Sequence, residues 1–131
     1  MTEENKKIKI MLIDDDHFLL DMYSLKFKTK GLDIVTADGS AVALEKIRGG
    51  ENPDVVLLDI IMPTMDGLEL LKIIRDEKLI PKTVIIMLTN QSDETEKAKE
   101  LGADGYIVKA TSIPSEVVEQ VMEIYNKKKK Q

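Results

Sequence analysis

Five short apolar segments recur along the chain, at residues 8–13 (broken only by Lys9), 34–37, 55–58, 84–88 and 106–108. Most are rich in β-branched residues, and each stops at a polar residue or a turn signal. The runs are largely continuous rather than alternating. That pattern predicts strands buried on both faces, as in a parallel sheet.

Helix-period stripes lie between and after these runs. Leu19, Met22, Tyr23 and Phe27 share one face, and Ala43, Leu44 and Ile47 share another before Gly49 and Gly50. Gly67, Leu70, Leu71 and Ile74 form a third stripe. Thr95, Ala98 and Leu101 form a thin fourth, stopped by Gly102. Val118, Val121, Met122 and Tyr125 form a fifth, widened by Val117 and Ile124. Glycine after a periodic run is a helix stop. The order is (βα)5, which predicts an α/β protein with a doubly wound five-stranded parallel sheet.

A chain of 131 residues matches one domain. Its 43% apolar content supplies a core. With no Cys, disulfides, cysteine–zinc sites and thiol nucleophiles are excluded. The single histidine, His17, rules out a multi-histidine metal site. Nineteen basic against 24 acidic side chains leave a net charge of −5, which disfavours nucleic acid as a direct partner. The longest apolar run, residues 84–88, is far short of the ~20 residues of a membrane span. The polar first residues do not resemble a signal peptide. These features lead us to expect a soluble cytoplasmic protein with no membrane partner. Residues 1–7 form a flexible start, 8–126 the domain, and 127–131 a basic end.

Ligands of such sheets bind at the carboxyl ends of the strands. The first strand ends in Asp14, Asp15 and Asp16, the third in Asp59, the fourth in Thr89 and Asn90, and the fifth in Lys109. Two carboxylates ~4 Å apart repel by about 4 kcal/mol at an effective dielectric of 20, so Asp14, Asp15 and Asp59 together call for a proton, a cation or both. Oxygen ligands favour Mg²⁺. Taken alone, the acidic triplet is equally a solvated turn, with Asp16 capping the first helix. Thr89, or else Ser92 or Asp93, is placed to cap the fourth helix. Lys109 brings a cation able to pair with a carboxylate or a phosphoryl oxygen. Tyr106 lies beside the site on the fifth strand, and packing accounts for it.

The residues Met11-Leu12-Ile13-Asp14-Asp15-Asp16, the stretch from Asp54 through Asp59, Met62-Pro63 and Met65-Asp66-Gly67, then Met87-Leu88-Thr89 and Gly102 through Lys109 resemble the receiver domain of two-component response regulators, the CheY-like fold. The resemblance covers roughly residues 8–126 and implies strand order 2-1-3-4-5, the flavodoxin-like arrangement. It implies that Asp59 is the phosphoacceptor. Asp14 and Asp15 would form the Mg²⁺ pocket with Asp59 and the Ile61 carbonyl, Asp15 being favoured as a direct ligand. Thr89 and Lys109 would engage the phosphoryl group, and Tyr106 would be a rotamer switch coupled to Thr89. The implied phosphodonor is a sensor histidine kinase or a phosphotransfer protein. The product would be a phosphorylation switch that catalyses only its own phosphoryl transfer and loss.

Three positions depart from the family pattern. Ala110 follows Lys109 where a proline after a cis peptide is usual, so we expect either a trans bond with a rerouted loop or a strained cis bond. Asn90 stands where a small residue is common, and Ile61 where a polar one is. Ile61, Asn90 and Gln91 are expected to tune loss of the phosphoryl group. The fourth helix, fifth strand and fifth helix are expected to form the output face, and the apolar excess of the fifth helix suggests a protein partner or a homodimer there.

A haloacid-dehalogenase-like phosphatase is an alternative, because Asp14-x-Asp16, Thr89 and Lys109 mimic three of its motifs. No acidic pair follows Lys109 to hold its metal, and Asp59 is left without a role. A flavodoxin-like cofactor site would place phosphate beside three aspartates, which repel it. A receiver-like module that is never phosphorylated is set apart only by assay.

Overall fold

The computed structural model describes residues 7–90, 94–109 and 112–130. Gln91, Ser92, Asp93 and Ala110 therefore lie outside the described residues. The elements alternate as β1 (Lys9–Asp14), α1 (His17–Thr29), β2 (Asp33–Asp38), α2 (Ser40–Arg48), β3 (Val55–Leu58), α3 (Gly67–Asp76), β4 (Val84–Thr89), α4 (Thr95–Glu100), β5 (Gly105–Val108) and α5 (Pro114–Lys129). All strand pairs are parallel, in the order β2-β1-β3-β4-β5. Each predicted strand and helix is present, with ends shifted by a residue or two.

Strand alternation divides the core into two layers. Ile10, Leu12, Val55, Leu57, Val84, Ile86, Leu88 and Ile107 face α1 and α5, whose Leu20, Tyr23, Phe27, Val117, Val118 and Val121 pack on them. Met11, Ile13, Val56, Leu58, Ile85 and Met87 face the other way, toward α2, α3 and α4. Central strands β3 and β4 are buried along their whole length, which explains their unbroken apolar runs. Edge strand β2 is mostly half-exposed.

The helix starts and stops follow local chemistry. Asp16 caps α1 by accepting from the amides of Phe18 and Leu19. Asp66 caps α3 by accepting from Glu69 N at 2.9 Å. Gly50 and Gly102 follow α2 and α4 with φ of 113° and 104°, a region glycine enters without steric cost.

Two stripes changed on folding. In α4 only Ala98 is buried, and Leu101 at its end packs half-buried on the same layer. In α5 the apolar excess is partly taken up by the domain itself, because Ile124 and Tyr125 pack against the core layer shared with α1.

Candidate functional site

The order of the strands reverses between β1 and β3, and their carboxyl ends open a crevice there. Ile13 pairs with Leu58 as the last bridge between them, so Asp14 and Asp59 leave the sheet side by side. One oxygen each from Asp14, Asp15 and Asp59 lies within 4.8 Å of the others. Asp14 is buried and Asp15 is exposed. An oxygen-only set with one solvent-facing member suits a hard cation that keeps some of its water, as Mg²⁺ does.

Lys109 reaches this cluster from β5. Its Nζ lies 3.0 Å from Asp14 Oδ2 and 3.5 Å from Asp59 Oδ2. All three side chains are only 10–12% exposed, so neither ion pair is screened like a surface pair. Thr89 ends β4 completely buried, and its hydroxyl donates to the Asp59 carboxylate. The backbone amide of Ile60 donates to the same carboxylate. Tyr106 sits on β5 opposite Met87, half-buried against the layer of α2, α3 and α4, with its hydroxyl shielded from solvent. The tip of β4 and Tyr106 thus face the same layer.

Ile61 is 61% exposed, so its side chain faces solvent. Asn90 is exposed just beyond Thr89. Gln91 lies outside the described residues. Asp16 serves as a cap, and His17 is an exposed first-turn residue whose Nε2 lies 2.6 Å from Asp38 Oδ2.

Two residues contribute in ways the motifs did not show. Gly67 opens α3 directly against the loop after β3, donating its N–H to Ile60 O at 2.7 Å. A Cβ at Gly67 would overlap the Asp59 carbonyl. Its φ is not positive, so space rather than conformation requires glycine. Tyr23 lies beneath the carboxylates and lines one small cavity with Asp14 and Asp59. A much larger cleft of about 570 Å³ opens at the other end of the sheet, between Arg75, Lys82, Asp104 and Lys128.

Charge in the crevice is unevenly balanced. Burial raises the Asp59 carboxyl above the ordinary aspartate range, Lys109 opposes this, and Asp14 adds to it. Burial would depress Lys109, but Asp59 and Asp14 override it and hold the ammonium above its ordinary value. Folded Asp59 therefore keeps its proton to higher pH than unfolded Asp59. Across that window the folded state binds more protons, and stability falls as pH rises. Asp59→Asn removes the titration. In chelator the variant should melt higher than wild type at pH 7, with the gap closing as pH falls toward ~4, the ordinary carboxylate value. Melting curves from pH 4 to 7 check this, and a gap independent of pH would contradict it.

Comparison with known proteins agrees with this geometry. The family model described as "Response regulator receiver domain" matches residues 10–121. The chain is 36% identical over 118 residues to the alkaline phosphatase synthesis transcriptional regulatory protein PhoP of Bacillus subtilis, covering 88% of this chain and 48% of PhoP. It thus spans about half the length of that curated relative. A CheY-like receiver domain protein from Methanospirillum hungatei superposes with a TM-score of 0.84 at 31% identity, over 95% of this chain and 98% of that one. The response regulator TrrA of Thermotoga maritima, solved with Mg²⁺ and beryllium fluoride, gives 0.77 at 32% identity, over 89% of this chain and 98% of its own. The chain belongs to the response regulator receiver domain family of two-component signalling. Among the described residues, no helix is long and apolar enough to cross a membrane.

Proposed function

We infer that this domain is a Mg²⁺-dependent phosphorylation switch with Asp59 as the acceptor. The observation that carries the reading is the convergence of Asp14, Asp15 and Asp59 with Lys109 in one crevice. The donor is a phosphorylated histidine on a sensor kinase or phosphotransfer protein, as family membership suggests. An Asp59 oxygen attacks phosphorus, the P–N bond to the imidazole breaks, and the imidazole leaves with the electron pair. Asp14, Asp15, Asp59 and the Ile61 carbonyl would hold the ion, which would offset charge on the phosphoryl oxygens when bound. Lys109 moves from carboxylate to phosphoryl oxygen, and Thr89 donates to another. Thr89 and Tyr106 then pass the change to the face of α4, β5 and α5, where Ala98 is the buried residue of α4. The unit spans residues 8–126 and works in the cytoplasm.

The test is incubation with a small phosphodonor and Mg²⁺, followed by intact mass. Wild type should gain one phosphoryl group, and its amide protection should change across α4, β5 and α5. Asp59→Asn and chelated wild type should gain none. Labelling that persists in Asp59→Asn would sink the assignment.

Loss of the phosphoryl group needs a water in line with the Asp59–phosphorus bond, held by a hydrogen-bonding group within roughly 3 Å. Ile61 has no such group, so the phosphorylated state should be long-lived. Ile61→Asn should speed decay about tenfold, the value of one restored contact of about 1.4 kcal/mol in the transition state. The side chain is already solvent-facing, so the exchange should leave melting unchanged. Equal or slower decay would refute the role of this position.

A further inference from the structure

Among the buried residues of the apolar layer between the sheet and helices α1 and α5, Tyr23 carries a hydroxyl into aliphatic surroundings beside Phe27. Tyr23 is 5% exposed. A buried phenol away from hydrogen-bonding partners carries a desolvation penalty, so its hydroxyl is costly there unless it serves a neighbour. Leu would fill the same layer without that penalty.

Register shows which neighbour. Ile10 and Leu12 of β1 face this layer, and Asp14 is the next residue in the same alternation. Val55 and Leu57 lead in the same way to Asp59, and Ile107 leads to Lys109. The ion-paired trio therefore stands on the same side of the sheet as Tyr23, one step above it. Tyr23, Asp14 and Asp59 line a common cavity of about 10 Å³, closed off by Leu12, Leu19, Leu20, Leu57 and Leu88. That is about the room one bridging water needs. Lys109 and Asp14 are also the two charges that act on the phenol electrostatically across this cavity.

We propose that Tyr23 is a positioning residue, whose hydroxyl holds the Asp14–Lys109 ion pair from the core side and so presets Lys109 for the phosphoryl group. Lys109 comes from 95 residues away along the chain and is tied more closely to Asp14 than to Asp59. Asp14 is thus the hinge on which the lysine is aimed. It already accepts from the Asp16 amide through Oδ1 at 3.0 Å, while Oδ2 takes Lys109. A hydroxyl below fixes the rotation of that carboxylate about its remaining freedom. This role rests on the phosphorylation reading for its consequence, whereas the shared cavity stands without it.

The test uses Tyr23→Phe, which keeps the ring and removes only the hydroxyl. Labelling at saturating Mg²⁺ should slow about fivefold while the melting midpoint stays within about a degree. In a Lys109→Ala background the same exchange should have no further effect, as coupled residues show in a double-mutant cycle. Without any phosphodonor, the NMR resonance of Lys109 Cε should shift in Tyr23→Phe. Wild-type labelling rate with an unmoved Cε resonance, or full additivity with Lys109→Ala, would overturn the proposal. If wild type takes no label at all, the phosphorylation reading fails, and the resonance shift still decides whether Tyr23 holds the pair.

Discussion

Replacing Lys109 with Ala should slow labelling of Asp59 by roughly a hundredfold at saturating Mg²⁺, the scale seen when one preorganised donor to a developing charge is removed. Lys109 is the cation within 4 Å of both Asp14 and Asp59 among the described residues. Its side chain is 11% exposed, so solvent cannot take its place. Removing it leaves two buried carboxylates facing each other, and breaking one partner out of a buried pair is the costly case. The metal-free variant should therefore melt lower than wild type. It should also gain more from Mg²⁺, because the cluster of Asp14, Asp15 and Asp59 then binds the ion with no competing ammonium. Timed intact mass and melting curves with and without Mg²⁺ measure both effects. A labelling rate within a factor of three of wild type would show that Lys109 is a structural cation only.

Gly67→Ala should cost about 3 kcal/mol of stability, at the upper end of what overpacking costs, and lower the melting midpoint by roughly 10 °C. The added methyl has no flexible neighbour to push aside. It meets the backbone of Asp59 and Ile60, with the Asp59 carbonyl carbon and Ile60 Cα both 2.9 Å away. To make room, the start of α3 must back off, which breaks the 2.7 Å hydrogen bond from Gly67 N to Ile60 O. That bond ties α3 to the peptide following Asp59. Labelling should fall along with stability for this reason. Chemical unfolding of the variant gives the cost directly. A loss under 1 kcal/mol would mean that the loop after β3 yields freely and that Asp59 is not held by this contact.

Much of this protein follows from short stretches of sequence read locally. Apolar runs such as 55–58 and 84–88 give central strands because a run with no polar member is stable only when both faces are covered. Asp16 stands one residue before α1, and Gly102 closes the turn after α4, since caps and stops act over single turns. Even the acidic site was legible, because Asp14 and Asp59 are the first polar positions after apolar strands and Asp15 follows Asp14. Strand ends in a parallel sheet share one edge, so the order of elements brings those residues together. The edge strand and α5 were harder to read. β2 is half-exposed although its segment is apolar, and part of the α5 stripe that looked surplus turned inward onto Ile107 and its neighbours' layer. A helix's sequence records how wide its apolar face is, not how deep a groove receives it. Farther from local pattern lie the contacts that set the chemistry. That Lys109 sits nearer Asp14 than Asp59, that Gly67 must clear a carbonyl, and that Tyr23 lies under the carboxylates all depend on distances across elements far apart in the chain. Periodicity assigned Tyr23 to the buried face of α1 correctly. Only the packing of α1 on the sheet brought Tyr23 to a cavity it shares with Asp14 and Asp59, because that depends on how far along the strands the helix sits.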